Sequence, residues 1–282
     1  MEWSDRERRV YKQIVDWEQN LFEYIPTDIE RAFDKWLEYG FEKLDPSIRE
    51  QFFKSLDNWL FHLHAFIQGS DSQMAAKERL LKSARVLNED IDQVADMKKL
   101  TIDQLAYFAD QQIAKYRIYS FAQGGASGTG GALLGVDIPA MIMINLRAVQ
   151  NIANVYGYDV NIPYEMMTSL RVFHAATLPK RMRAAGWSKL IDEVHEFDEQ
   201  FYYLFEKDEE LTNETWLEQP LMQILKSMVI IMFRKRVIQG LPIVGMAFGA
   251  GMNYKLSRQV TEFANHFYQM RYLIEKNNEN TR

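Results

Sequence analysis

Two stretches of this chain are apolar, rich in glycine, and too broken to be ordinary membrane-spanning helices. The first runs from Gly124 through Gly128, Gly131 and Gly135 to Pro139 and continues as Ala140–Arg147. The second runs from Gly240 through Gly245 and Gly249 to Asn253 and Tyr254. Ser127, Gly131 and Gly135 fall four residues apart, as do Gly245, Gly249 and Asn253. On an α-helix that interval puts small residues on one face, where two backbones approach closely. The pattern predicts two glycine-rich apolar helical hairpins packed together, and it names no reaction.

The rest of the chain reads as helix. Val10, Ile14, Trp17 and Leu21 form one apolar stripe. Pro26 closes that segment, and Thr27 with Glu30 makes a capping box for the next. Phe52, Leu56, Trp59, Leu60 and Leu63 repeat the apolar spacing. Thr101 and Gln104 form a second capping box. Asp137 is expected to cap a helix opening at Pro139 and stopping at Gly157. Pro163 starts another helix, Pro179 interrupts it, and a further helix is expected from Trp187 to about Glu210. The final helix is expected over Lys255–Glu275. No segment alternates with period two, so the fold class is all-α, a multi-helix bundle. Two regions are expected: 1–74, an amphipathic helical unit, and 75–282, a larger helical domain with an acidic segment at about 192–218.

Composition removes several classes of function. The formal charge of -6 argues against a nucleic-acid partner, which needs a broad basic field. There are 0 cysteines, so disulfides, thiolate metal sites and cysteine nucleophiles are excluded. The N-terminus, Met1-Glu-Trp-Ser-Asp-Arg-Glu-Arg-Arg9, is not a signal peptide. No window offers the roughly 18 uninterrupted apolar residues of a spanning helix. The five histidines lack metal-ligand spacing; His62 and His64 stand two apart on different helix faces. No phosphate-binding loop or nucleophile elbow occurs: the Gly128-Thr-Gly130 run has Leu133 where a dinucleotide fingerprint needs glycine. No cofactor and no metal are expected.

The order Asp137-x-Pro139, Asn145-Leu-Arg147, then Ile152-Ala-Asn-Val-Tyr-Gly157-Tyr-Asp159 resembles the signature of the EcsC protein family. The block Leu241-Pro-Ile-Val-Gly-Met-Ala-Phe-Gly-Ala-Gly-Met-Asn253, followed by Ala264, Tyr268, Arg271 and Leu273, is similar to its second signature. The resemblance covers roughly Lys98 to Leu273. It implies a bacterial, membrane-proximal accessory protein, because the founding member is encoded beside the two components of an ABC transport system. It supplies no activity and no catalytic residues.

Three groups of residues are candidates for function. Gly124, Gly128, Gly131, Gly135, Gly245, Gly249 and Asn253 form the helix-packing motif. Asp137, Asn145, Arg147, Asn151 and Asn154 form a candidate polar cluster. Arg147 lies too far along its helix from Asp137 to pair with it, so Glu165, Asp159 or the Asn253 region is the expected partner. The asparagines are expected to bond between helices. Lys180, Arg181, Arg183 and Arg234, Lys235, Arg236 flank the apolar segments and would attract anionic lipid. The leading expectation is a non-enzymatic peripheral-membrane accessory protein on the inner face of the cell membrane. The competing ones are a soluble helical interaction module, and a lipid-handling protein or enzyme with a polar pocket near Arg147.

Overall fold

A computed structural model describes residues 3–25, 71–127, 134–178, 180–195 and 242–281. Among them are seven α-helices and one short 3-10 helix, with no strand. The helices are α1 (Asp5–Phe22), α2 (Asp71–Arg85), α3 (Ile102–Ser127), α4 (Leu134–Val155), α5 (Pro163–Thr177), α6 (Lys180–His195) and α7 (Pro242–Thr281). The 3-10 turn spans Val94–Lys99. The capping box expected at Thr27 and Glu30 and the apolar stripe from Phe52 to Leu63 lie outside the described residues.

Helix α7 is the axis of the bundle, and α1, α3, α4, α5 and α6 all pack on it. Its 40 residues give about 60 Å of rise. It is far longer than the expected Lys255–Glu275, because the second glycine stretch is its first three turns. Glycine in a helix interior costs about 1 kcal/mol relative to alanine. Packing on α3 offsets this: the side of Gly125 lies 3.8 Å from Ala250 Cβ, and Asn253 Nδ2 donates to Gln123 Oε1 at 2.7 Å. Pro242 opens the helix, where a missing N–H costs nothing.

Helix α3 starts at the expected box: the Gln104 N–H donates to Thr101 Oγ1, and the Thr101 N–H to Gln104 Oε1 at 2.9 Å. Helix α4 departs from expectation. It is already helical at Leu134, so Asp137 is its fourth residue rather than its cap and Pro139 its sixth rather than its first. The proline forgoes one backbone hydrogen bond. The helix runs on because Met141, Ile142, Leu146 and Val149 are buried in the core. At the other end, Gly157 has φ +88° and the Tyr158 N–H donates to Ala153 O at 3.0 Å, a left-handed helix stop. Lys98 fills the space beside Gly157, with its Cγ 2.6 Å from where a Cβ would stand.

Helix α5 begins at Pro163 and the chain breaks between Thr177 and Lys180, both as expected. Helix α6 opens at Lys180, so the basic run there is a helix start, not an interruption before a helix at Trp187. Helix α1 belongs to the same core. Ile14 is fully buried, and Trp17 meets Trp187 edge-on at 4.9 Å and Phe263 at 5.7 Å. Trp187 Nε1 donates to Glu18 at 2.8 Å. Residues 26–70, most of the expected first unit, lie outside the described residues.

Candidate functional site

Three pairs of contacts fix how α3 and α7 run. Gly125 meets Ala250, Gln123 meets Asn253, and Arg117 Nε donates to Thr261 Oγ1 at 3.1 Å. Rising numbers on one helix match falling numbers on the other, so the two are antiparallel. The C-terminal end of α3 and the N-terminal end of α7 therefore share one end of the bundle. Asn151 Nδ2 donates to Tyr116 Oη at 3.0 Å, and the short connection from Ser127 to Leu134 spans the gap only if α4 runs antiparallel to α3, which brings its N-terminal end there too. The two glycine-rich stretches, far apart in sequence, converge at this end.

Among the described residues, the tip so formed is almost free of charge. Residues 118–127, 134–146 and 242–254 contain one charged residue, Asp137. The base of the tip carries exposed aromatic and aliphatic side chains: Ile118 at 65% exposure, Phe121 at 54%, Tyr119 at 49% and Tyr254 at 41%. Phe121 and Tyr254 meet edge-on at 6.5 Å across α3 and α7.

Cations share this band. Lys255 and Arg258 are exposed on α7. Arg117 reaches the level of Thr261, and Arg147 on α4 interacts with the Tyr116 phenol on the same level. Gln259 donates to Ala176 O at 2.5 Å, which brings the α5–α6 corner to this height with Lys180 and Arg183. Burial draws the Arg117 and Arg147 guanidiniums below their ordinary pKa, yet arginine stays charged at neutral pH. Glu262 and, beside Lys180, the end of α1 with Glu23 bring acidic groups near the same level. From the end inward, an apolar tip gives way to a band where exposed aromatic and basic side chains interleave.

A polar seam runs under the tip between α3 and α7. Asn253, Ser257 and Thr261 recur every four residues on α7, all fully buried. Ser120 on α3 lies midway between Arg117 and Gln123, as Ser257 lies midway between Thr261 and Asn253, so the two buried serines stand at about the same height. Ser120 Oγ, Ser257 Oγ, Asn253 Oδ1 and Asn145 Oδ1 have no hydrogen-bond partner.

The far end of the bundle holds a buried ionic cluster that sequence reading did not find. Arg271, 4% exposed, makes a two-pronged bond to Glu165, at 2.6 and 2.8 Å, and its Nε bonds Glu275 at 2.8 Å. Glu275 also accepts from Lys98 at 2.7 Å and from Tyr158 Oη at 3.0 Å. The guanidinium stacks 3.9 Å from the Tyr158 ring centre. Burial opposes the Glu275 charge, but Arg271 and Lys98 outweigh it and hold the carboxyl below its usual range. Every carboxylate has a cation, so the cluster ties α5, α7 and the 3-10 turn together rather than offering a free acid or base. The signal was present in Arg271 and in the Tyr158-Asp159 pair, but their partners are too distant in sequence to be read. Among the described residues, no group of three or more His, Asp or Glu is placed to hold a metal ion.

The EcsC protein family model matches residues 8–273. The chain belongs to the EcsC protein family. The match takes in α1 and the segment after it, which the resemblance in the signatures alone did not cover. Among relatives, the Bacillus subtilis (strain 168) uncharacterized protein YdbA is 22% identical over 258 residues, spanning 89% of this chain and 89% of that protein. Protein EcsC of the same organism is 25% identical over 181 residues, 64% of this chain and 69% of that one. No solved structure matches.

In this EcsC-family chain the expected site residues fall out unevenly. Gly124 is buried at the tip, and Gly135, Gly245 and Gly249 lie in helices there. Gly128, Gly131, Arg234, Lys235 and Arg236 lie outside the described residues, as do the side chains of Asp137 and Arg181. Asn151 and Asn253 bond between helices, as expected. Asn145 instead donates to Met141 O in its own helix, and Asn154 accepts from the Val160 N–H in the adjoining loop. The partners expected for Arg147 are taken: Glu165 binds Arg271, and Asp159 binds Lys77 at 2.5 Å. Lys180 sits over the Tyr24 ring, and Arg183 Nε donates to Leu178 O at 2.9 Å. These two join the basic level through the fold, beside four cations that sequence reading did not group with them.

Proposed function

We propose that this EcsC-family protein is a non-enzymatic accessory protein that attaches to the inner face of the cell membrane by dipping its glycine-rich end into one leaflet. The convergence of both glycine-rich stretches at one nearly uncharged end carries the reading. From Pro242 to Tyr254 the tip rises about 18 Å, close to one leaflet's share of a hydrocarbon core about 30 Å thick. Among the described residues no helix is long and apolar enough to cross a membrane, so the attachment is shallow. The described backbone of the tip is helical, so its polar groups are satisfied within the protein, which lipid requires. Asp137 lies in the first turn of α4, where the helix dipole favours a carboxylate. The accessory role to an ABC transport system follows the family resemblance.

Flotation on neutral phosphatidylcholine vesicles at high salt tests this, since only apolar insertion survives there. The wild type should float. Ile118→Asp with Phe121→Asp, both at exposed positions, should cut binding about tenfold or more, because an aspartate costs about 2.5–3.5 kcal/mol at the bilayer centre and less nearer the interface. A wild type that never floats would make the tip the buried core of a soluble interaction module.

A further inference from the structure

Six cations stand in the same band as the exposed aromatic residues at the base of the tip: Arg117 on α3, Arg147 on α4, Lys180 and Arg183 on α6, and Lys255 and Arg258 on α7. They come from four helices around the bundle. Hydrogen bonds set their height: Arg117 to Thr261, Gln259 to Ala176, and Asn151, which bonds both Tyr116 Oη and the Arg147 carbonyl. Lys255 and Arg258 stand five and eight residues past Ala250, about 8 and 12 Å along the axis. Arg117 lies at the level of Thr261, about 16 Å along.

This distribution opposes the protein as a whole, whose formal charge is -6. Long cationic side chains at the edge of an apolar surface lay their stems on that surface and hold their heads in water. Here the heads fall where a bilayer's phosphates would lie if the tip were buried to its aromatic residues. The anionic complement at that depth is a phosphodiester headgroup. We propose that these six residues form a belt that recognises anionic phospholipid headgroups and sets the depth at which the tip stops. The belt rests on the membrane reading above and adds the lipid class to it.

Flotation of the full chain on phosphatidylcholine vesicles, with and without phosphatidylglycerol, separates the two readings. The wild type should bind phosphatidylglycerol-containing vesicles more tightly, with the excess lost at high salt. Lys255→Gln with Arg258→Gln, at exposed positions, should weaken that binding about thirtyfold, at about fivefold per charge. Binding to neutral vesicles should not change. Arg9→Gln with Lys12→Gln, on the part of α1 whose Glu7 binds Lys276, removes the same charge far from the tip and should leave both affinities as they were. Equal binding of the wild type to both vesicles would overturn the belt and leave insertion standing. An equal loss in both double variants would reduce the effect to net charge and overturn it too. No flotation on any vesicle would remove the membrane reading and the belt with it.

Discussion

Lowering the pH from 7 to 5 should loosen the seat of α1 on α7 through one side chain, His266. Its imidazole lies 4.7 Å from Trp17 of α1, and its Nδ1 has no hydrogen-bond partner. Burial pushes its pKa down to about 4, against the opposing pull of a bond with Gln269. The unfolded chain takes up the proton near pH 6.5, whereas the folded protein resists it. A folded-state pKa below the unfolded one leaves stability intact above pH 6.5 and removes it progressively as the pH falls toward 4. Linkage between those two values gives a loss of about 2 kcal/mol at pH 5 and about 3 kcal/mol at pH 4. His266→Phe keeps a ring against Trp17 and has no proton to take up. Urea unfolding followed by circular dichroism at pH 7 and pH 5 should therefore show a loss larger in the wild type by about 2 kcal/mol. His174, whose pKa burial also lowers, is common to both proteins and cancels in the comparison. Equal losses in wild type and variant would refute the assignment of the acid sensitivity to this buried ring.

Gly157→Ala should destabilise by about 1–2 kcal/mol from its positive φ, and by more because the new methyl meets the Lys98 stem. In a Lys98→Ala background only the backbone cost should remain, and thermal melts giving the same loss in both backgrounds would show that Lys98 does not fill that space. Arg271→Met leaves Glu165 buried without its cation and should cost about 3–5 kcal/mol in chemical denaturation. Lys98→Met removes a cation whose side chain is 36% exposed, and should cost about 1 kcal/mol or less. Similar losses in the two would mean that Arg271 is not the centre of the cluster.

Much of the local structure was legible because its causes lie within a few residues. The Thr101–Gln104 box, the left-handed Gly157, the start at Pro163 and the break around Pro179 each depend on hydrogen bonds or steric limits inside one turn. The all-α class follows from the same local periodicity. Helix length was not legible in the same way. Glycine and proline argue locally for stopping at the second glycine stretch, and against beginning α4 before Pro139. Burial of Met141 and Ile142, and the contacts of Ala250 and Asn253 with α3, overrule them.

Charge partners divide along the same line. A cation and an acid can be listed from sequence, but which acid meets which cation depends on how helices cross. Arg147 does not take Glu165 or Asp159, because the packing of α5 against α7 gives Glu165 to Arg271, 106 residues away, and the corner after α4 gives Asp159 to Lys77. By itself the sequence determined that this chain is helical, where most of its turns fall, and that two of its segments are apolar and rich in glycine. Only the antiparallel crossing of α3 with α4 and α7 decided that those segments share one end and that cations from Arg117 to Arg258 gather in one band at its base. Periodicity and capping act within a turn or two of chain. Helix crossing depends on the burial of whole faces against partners a hundred or more residues away.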